Sequence, residues 1–214
     1  RKESSAASDV YKRQLPYLED FVFFAEAQIR MYEITGNPVF KDNFRDTMSF
    51  ISKSFIKDNK VYTRPVALND AELYPNLAIS MYDQSYRSCL ATLFSLARRG
   101  KMLLIDKEFD SFLDGLKEDA IHETLRNPLS AGEGLRALTY PDKAYRTVKL
   151  PLEWLKDEKF IGFMSYFLPR FVLTYHEDKG DEWQICSLEA CELQGHGLDQ
   201  FIETLRPSKK SQES

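Results

Sequence analysis

The chain has 214 residues, about one to one and a half ordinary domains, and its 43% hydrophobic, 13% aromatic and 29% charged residues supply material for a real core. Twenty-nine basic against thirty-three acidic residues give a net charge of -4, far from the positive field that phosphate backbones require, so nucleic acid is not an expected partner. No run reaches the roughly 18 apolar residues of a membrane span, no export signal is visible, and three cysteines suit a reducing compartment; no membrane contact and a cytoplasmic location are expected.

Residues 1–14 (RKESSAASDVYKRQ) are polar and without periodicity, and they resemble translated sequencing-adapter sequence. They are read as a non-native or disordered leader, and the lack of an initiating methionine points to a natural chain that begins upstream. From Pro16 to Thr35 apolar residues fall on most sides of a helix, which predicts an element enclosed by protein, with Gly36 as its carboxy-terminal cap. Between Pro38 and Ile56 the apolar positions Phe40, Phe44, Met48, Ile51 and Phe55 recur every three or four residues. This is an outer helix with one buried stripe.

The alternation repeats. After a short extended piece, Lys60 to Pro65, the stretch from Asn76 to Ala97 is again apolar on several sides, and Arg98, Arg99 and Gly100 supply a favourable helix end. Asp106 is placed as N-cap of a second outer helix that carries Phe109, Phe112, Leu113, Leu116, Ala120, Ile121 and Leu125 on one face. A shorter helix is expected from Ser130 to Leu138. Residues 15–140 are therefore read as helical hairpins, and their repeat of roughly 50 to 60 residues fits an incomplete (α/α) toroid in a mainly α protein. Two and a half hairpins cannot close a ring, so the inner helices are expected to expose apolar flanks.

Residues 141–206 read differently: strands at Arg146 to Leu150, Arg170 to Tyr175 and Trp183 to Ser187, a helix from Leu152 to Phe167, and a last helix from Leu198 to Leu205. A small α/β segment packed on the toroid is expected, followed by a disordered tail over 207–214.

Candidate chemistry is sparse. Glu19 and Asp20 form a carboxylate pair in the first turn of an inner helix, where neighbouring like charges can push their pKa values apart for acid and base work; the same residues can simply complement the helix dipole. Asp70, Glu72 and Asn76 sit at or before the start of the next inner helix, and in a toroid these two starts share a rim. Tyr17, Tyr62, Tyr74 and Tyr82 lie near that rim in sequence; aromatic faces stack on sugars, although such stripes more often build cores. Cys186 and Cys191 lack the ligand number and spacing of a metal site even with His196, and are read as buried and reduced, like Cys89. His122 is a surface or boundary histidine in this reading. No serine-hydrolase elbow, phosphate-binding glycine loop or dinucleotide fingerprint occurs, and no cofactor or metal is implied.

Three segments carry a resemblance. YLEDFVFFAEAQIRMYEITGNPVF, NDAELYPNLAISM and WQICSLEACELQGHGLDQFIETL resemble, in order and spacing, segments of the thioredoxin-domain-containing proteins related to spermatogenesis-associated protein 20. The resemblance implies the carboxy-terminal part of a longer protein, in which a thioredoxin-like domain, absent from this chain, precedes a six-hairpin toroid. That toroid is of the type shared with glycosidases and N-acylglucosamine 2-epimerases. It further implies Glu19 and Asp20 as acid, base or hydroxyl-binding groups, Asp70, Glu72, Asn76 and Tyr17 as substrate-positioning groups, and a carbohydrate ligand. The alternative it leaves open is a non-catalytic module that binds protein or glycan. Three departures bear on the site: the family's P-S-G-N-S run is Leu73 to Leu77 here with only Asn76 kept, the asparagine usual in the closing C-x4-C is Leu188, and Glu19 replaces a common aspartate.

Overall fold

The structure is a computed structural model that describes residues 16–68, 77–104, 108–139, 145–164 and 171–206. Helix α1 (Leu18–Thr35) begins where the Leu18 amide donates to the Thr63 carbonyl at 2.9 Å, which satisfies one of its orphan first-turn donors. It stops at Gly36, whose φ of 66° is left-handed and whose amide donates to the Tyr32 carbonyl, as expected of a glycine cap. Asn37 then caps α2 (Pro38–Phe55) by accepting from the Val39 amide at 3.0 Å, and Pro38 fills the first helical position, where its missing N–H costs nothing. Phe44, Met48, Ile51 and Phe55 form the buried stripe of α2, as the spacing predicts.

A tight hairpin follows. Strands β1 (Ile56–Lys57) and β2 (Lys60–Val61) are joined by Asp58 and Asn59, both at positive φ, the geometry that a two-residue hairpin turn demands. The chain continues extended, and Tyr62 bridges to Ala78. Helix α3 (Cys89–Leu104) starts thirteen residues later than the expected Asn76, because Ser88 is the residue that caps it: its hydroxyl accepts from the Ala91 amide at 3.1 Å. Nor does α3 end at Gly100. Arg98 donates to the Ala137 carbonyl and Arg99 pairs with Glu33, so both arginines lie inside the helix and the burial of Met102 and Leu103 carries it on to Leu104. Every residue from Cys89 to Gly100 is buried.

Helix α4 (Glu108–Arg126) turns Leu116, Ala120 and Thr124 inward, while Ile121 and Leu125, expected on the same face, are exposed. The proposed cap Asp106 lies outside the described residues. Helix α5 (Gly132–Thr139) crosses α4 closely: a Cβ on Gly134 would lie 2.9 Å from the Thr124 hydroxyl. The core gathers Val22, Ile29, Phe44, Met48, Phe55, Leu93 and Phe94. The enclosure expected of α1 is one-sided, for Phe24, Met31 and Ile34 are 50%, 40% and 67% exposed. These three form an exposed apolar flank along α1.

Beyond residue 145 a four-stranded sheet forms in the order β4-β3-β5-β6, from β3 (Arg146–Pro151), β4 (Phe171–His176), β5 (Glu182–Cys186) and β6 (Cys191–His196). β3 and β4 are parallel; the other pairs are antiparallel. Between β3 and β4 the predicted single helix is split into a 3-10 turn (Leu152–Lys156) and α6 (Glu158–Met164), broken at Asp157, whose carboxylate caps the Lys159 amide. Side chains alternate across the sheet: Val148, Leu150 and Leu173 join Trp154, Phe160, Trp183 and Phe201 of α7 (Leu198–Leu205) in a second core, while Thr147 and Val172 face the helices. The sheet is tied to the helical body by Thr147 donating to the Met102 carbonyl and by the Tyr175 hydroxyl on the Glu33 carbonyl.

β6 went unpredicted. Its residues are mostly exposed, Leu193 among them, and at Gly195 a Cβ would meet the Trp183 ring at 2.6 Å. Over the described residues the protein is thus mainly α, with a two-stranded hairpin and a small four-stranded mixed sheet.

Candidate functional site

Helices α1, α3 and α5 run in the same direction with their starts on one rim. For α1 and α3, Tyr86, just before α3, stands against the Glu19 carboxylate in the first turn of α1, which raises its phenol, while Arg99 near the end of α3 pairs with Glu33 near the end of α1. For α3 and α5 the link is Asp83. One of its carboxylate oxygens accepts from the Ser88 amide at 2.7 Å and the other from the Glu133 amide at 3.0 Å, so a single side chain holds the cap residue of α3 and a first-turn amide of α5. Nothing in the hydrophobic pattern marks Asp83; its signal is an acid five residues before a serine that itself precedes an apolar run.

One stripe of α1 faces this rim and the groove below it: Glu19, Phe23, Glu26, Arg30 and Glu33, spaced by three and four residues. Arg87 forks onto Glu26 with distances of 3.2 and 2.6 Å and lies 6.0 Å over the Phe23 ring, and the Tyr86 ring meets Phe23 edge-on at 6.0 Å. Deeper, Arg136 grips Glu133 and donates to the Ser95 hydroxyl at 3.3 Å. The Glu26 and Glu133 carboxylates hold the Arg87 and Arg136 guanidiniums more firmly protonated than usual. At Arg99 burial outweighs Glu33 and pushes the guanidinium the other way. The crevice among Glu26, Arg30, Thr92, Ser95, Arg99 and Arg136 measures about 10 Å³, room for at most one water. On this side of the molecule, anything larger than water is confined to the open rim beside Tyr17, Glu19, Phe23 and Tyr86.

The sequence-predicted residues fare differently. Glu19 stands on the rim, half-buried, and its negative charge raises the Tyr86 hydroxyl to about 12, chiefly through the hydrogen bond that it accepts. Tyr17 is 52% exposed just before α1. Asp20 does not join Glu19: adjacent helical residues project about 100° apart, and Asp20 is exposed on the flank that also carries Phe24, Met31 and Ile34. Asp70, Glu72 and Asn76 lie outside the described residues. Leu77, the described neighbour of Asn76, accepts from the Thr63 amide, and Thr63 in turn accepts from Leu18 at the start of α1. Tyr86, Arg87 and Asp83 were missed because the expected helix ran through them.

Cys89 is a core residue, as read: burial, reinforced by the charge of Glu19, pushes its thiol up to about 12. Cys186 and Cys191, read as buried and reduced, are joined in a disulfide with Cys191 exposed, because a register shift between Ile185 and Cys186 sets Cys191 instead of Glu192 opposite Cys186. His122 is exposed, and the described residues contain no group of three or more His, Cys, Asp or Glu side chains able to hold a metal. No described helix is long and apolar enough to cross a membrane. Compared with protein-family models and with curated proteins, the chain matches none.

Proposed function

We propose that the chain is the carboxy-terminal part of an (α/α) toroid protein of the thioredoxin-domain-containing type, and that the rim where α1, α3 and α5 begin is its carbohydrate site. The observation that carries this reading is the meeting of Glu19 and Tyr86 at two neighbouring helix starts, beside the exposed ring of Tyr17. A carboxylate that accepts, a phenol and flat apolar faces are the groups that grip sugar hydroxyls and stack on the less polar face of a pyranose. The exposed flank of α1 supports the toroid: Phe24, Met31 and Ile34 are what a preceding hairpin of the same build would cover. The upstream thioredoxin-like domain and a cytoplasmic location belong to the same proposal, and rest on the three resembling segments and on composition.

In the catalytic form of this reading Glu19 takes or delivers the proton and Tyr86 orients it; Asp20, on the other flank, contributes little. One observation favours the second form, a binding module without turnover. The deeper glutamates Glu26, Glu33 and Glu133 are all held by arginines, and the crevice between them is too small for a sugar. Calorimetric titration of the chain with a neutral hexose and an N-acetylhexosamine decides whether the rim binds sugar at all; Glu19→Gln and Tyr86→Phe should each weaken binding about tenfold, as the loss of a charge-assisted hydrogen bond does. Interconversion of sugar isomers followed by NMR then separates the forms: turnover lost in Glu19→Gln supports catalysis, and binding without turnover supports the module. Affinity unchanged in both variants removes the site.

A further inference from the structure

A second cleft, of about 470 Å³, opens on the far side of the molecule between the first turn of α2, the end of α3 and the sheet. Its size is that of a small-molecule site. The disulfide forms part of its wall. Thr147 pairs with Cys186 in register and Lys149 with Gln184, so Cys186 and Lys149 share one face of the sheet, and Lys41 of α2 closes the cleft from the helical side. The two sulfurs are not equivalent: Cys186 is 5% exposed, whereas Cys191 is open to solvent.

The bridge has little structural work to do. Only four residues separate the cysteines, and loop closure of so short a segment stabilises least. The hairpin is already fixed by the pairing of Glu182 to Ile185 with Leu193 to His196, and its turn by the Ser187 amide and hydroxyl donating to the Ala190 carbonyl at 2.8 and 3.1 Å. Opening the disulfide leaves the turn and ladder in place.

We propose that Cys186–Cys191 is a thiol-exchange site and that the cleft beside it takes a low-molecular-weight thiol bearing carboxylates, of the glutathione class. The incoming thiolate attacks the exposed Cys191 sulfur. A bond forms between those two sulfurs, the Cys186–Cys191 bond breaks, and its electron pair leaves on Cys186, which takes a proton from water or from the Lys149 ammonium. The product is a mixed disulfide on Cys191 and a thiol on Cys186. A second thiol molecule can attack the mixed disulfide, releasing the oxidised small-molecule disulfide and leaving both cysteines reduced; oxidised glutathione runs the sequence backwards. Lys41 and Lys149 receive the carboxylates, and Glu189 in the turn between the cysteines faces an ammonium group. This site shares no residue with the rim of α1 and α3 and does not depend on the carbohydrate reading.

The test uses the whole chain, with reduced glutathione and neutral 2-mercaptoethanol as probes and intact-mass and peptide mapping as the readout. Cys186→Ser, which leaves Cys191 alone, should take one glutathione from oxidised glutathione, and Cys191→Ser should react at least tenfold more slowly. Lys41→Ala combined with Lys149→Ala should slow opening of the wild-type disulfide by glutathione at least threefold relative to opening by 2-mercaptoethanol. That ratio is unmoved by a merely structural loss, which alters both thiols alike. Equal reactivity of the two single-cysteine variants, an unchanged ratio, or two free thiols in the air-oxidised protein would overturn the proposal.

Discussion

Tyr86 stands against the Glu19 carboxylate, which raises its phenol to about 12, and so the turn before α3 lies beside the first turn of α1. This contact fixes which ends of the two buried helices are neighbours. With Asp83 bridging α3 to α5, it makes a single rim from three segments far apart in the chain.

Tyrosine titration reads the Glu19 contact without any ligand. Tyr86 should ionise near 12 instead of its ordinary 10, and Glu19→Gln should return it toward 10. The sign follows from linkage: a folded-state pKa above the unfolded one means that the contact stabilises the fold fully below pH 10, and that this contribution fades as pH climbs toward 12. Absorbance titration of the wild type and the variant checks both statements.

The buried pair Glu33 and Arg99 is a different kind of contact. Both are at most 7% exposed, and Glu33 also accepts from Arg30 and from the Leu173 amide, so it joins the helices to the sheet. Glu33→Ala leaves a buried guanidinium without its carboxylate and should cost about 3–5 kcal/mol in urea unfolding. Replacing Glu33 and Arg99 together should cost less than the sum of the single changes, a coupling that a double-mutant cycle measures.

Asp83→Ala should cost about 1–2 kcal/mol, because the amides of the α3 cap residue Ser88 and of Glu133 in the first turn of α5 lose their acceptor at once, while Asp83→Asn should recover much of it. Thermal unfolding compares them. Equal stability of the alanine variant and wild type would contradict the bridge between α3 and α5.

Gly195→Ala drives a methyl into the Trp183 ring, which sits in the second core against Phe201. Such overpacking should cost about 1–3 kcal/mol, and the indole fluorescence should report the shift of Trp183.

Local chemistry explains which elements the amino-acid pattern revealed. Gly36 stops α1, Asn37 and Pro38 start α2, and the three-and-four spacing of Phe44, Met48, Ile51 and Phe55 names its buried face; each signal acts within a few residues. Leu198–Leu205 was equally clear, as an amphipathic run after Gly197. The misreadings share a cause. Asn76 and Gly100 carry good cap residues for α3, but Ser88 and the long-range partners of Arg98 and Arg99 decide where that helix begins and ends. β6 is an edge strand whose pairing with β5, not its own hydrophobicity, makes it a strand, and a register shift at the end of that pairing brings Cys186 to Cys191. At the rim, Glu19 and Tyr17 could be picked out as an acid and an aromatic at a helix start. Tyr86, Arg87 and Asp83 could not, since their role depends on which helix lies alongside.

The central claim is that sugar rests on the rim made by α1, α3 and α5. Amide NMR of the chain during titration with an N-acetylhexosamine tests it most directly. Saturable shifts should concentrate at Tyr17 to Phe23 and at Asp83 to Cys89, and should vanish in Glu19→Gln with the remaining spectrum intact. Saturable shifts confined to the sheet, or no shift at any sugar concentration, would contradict it.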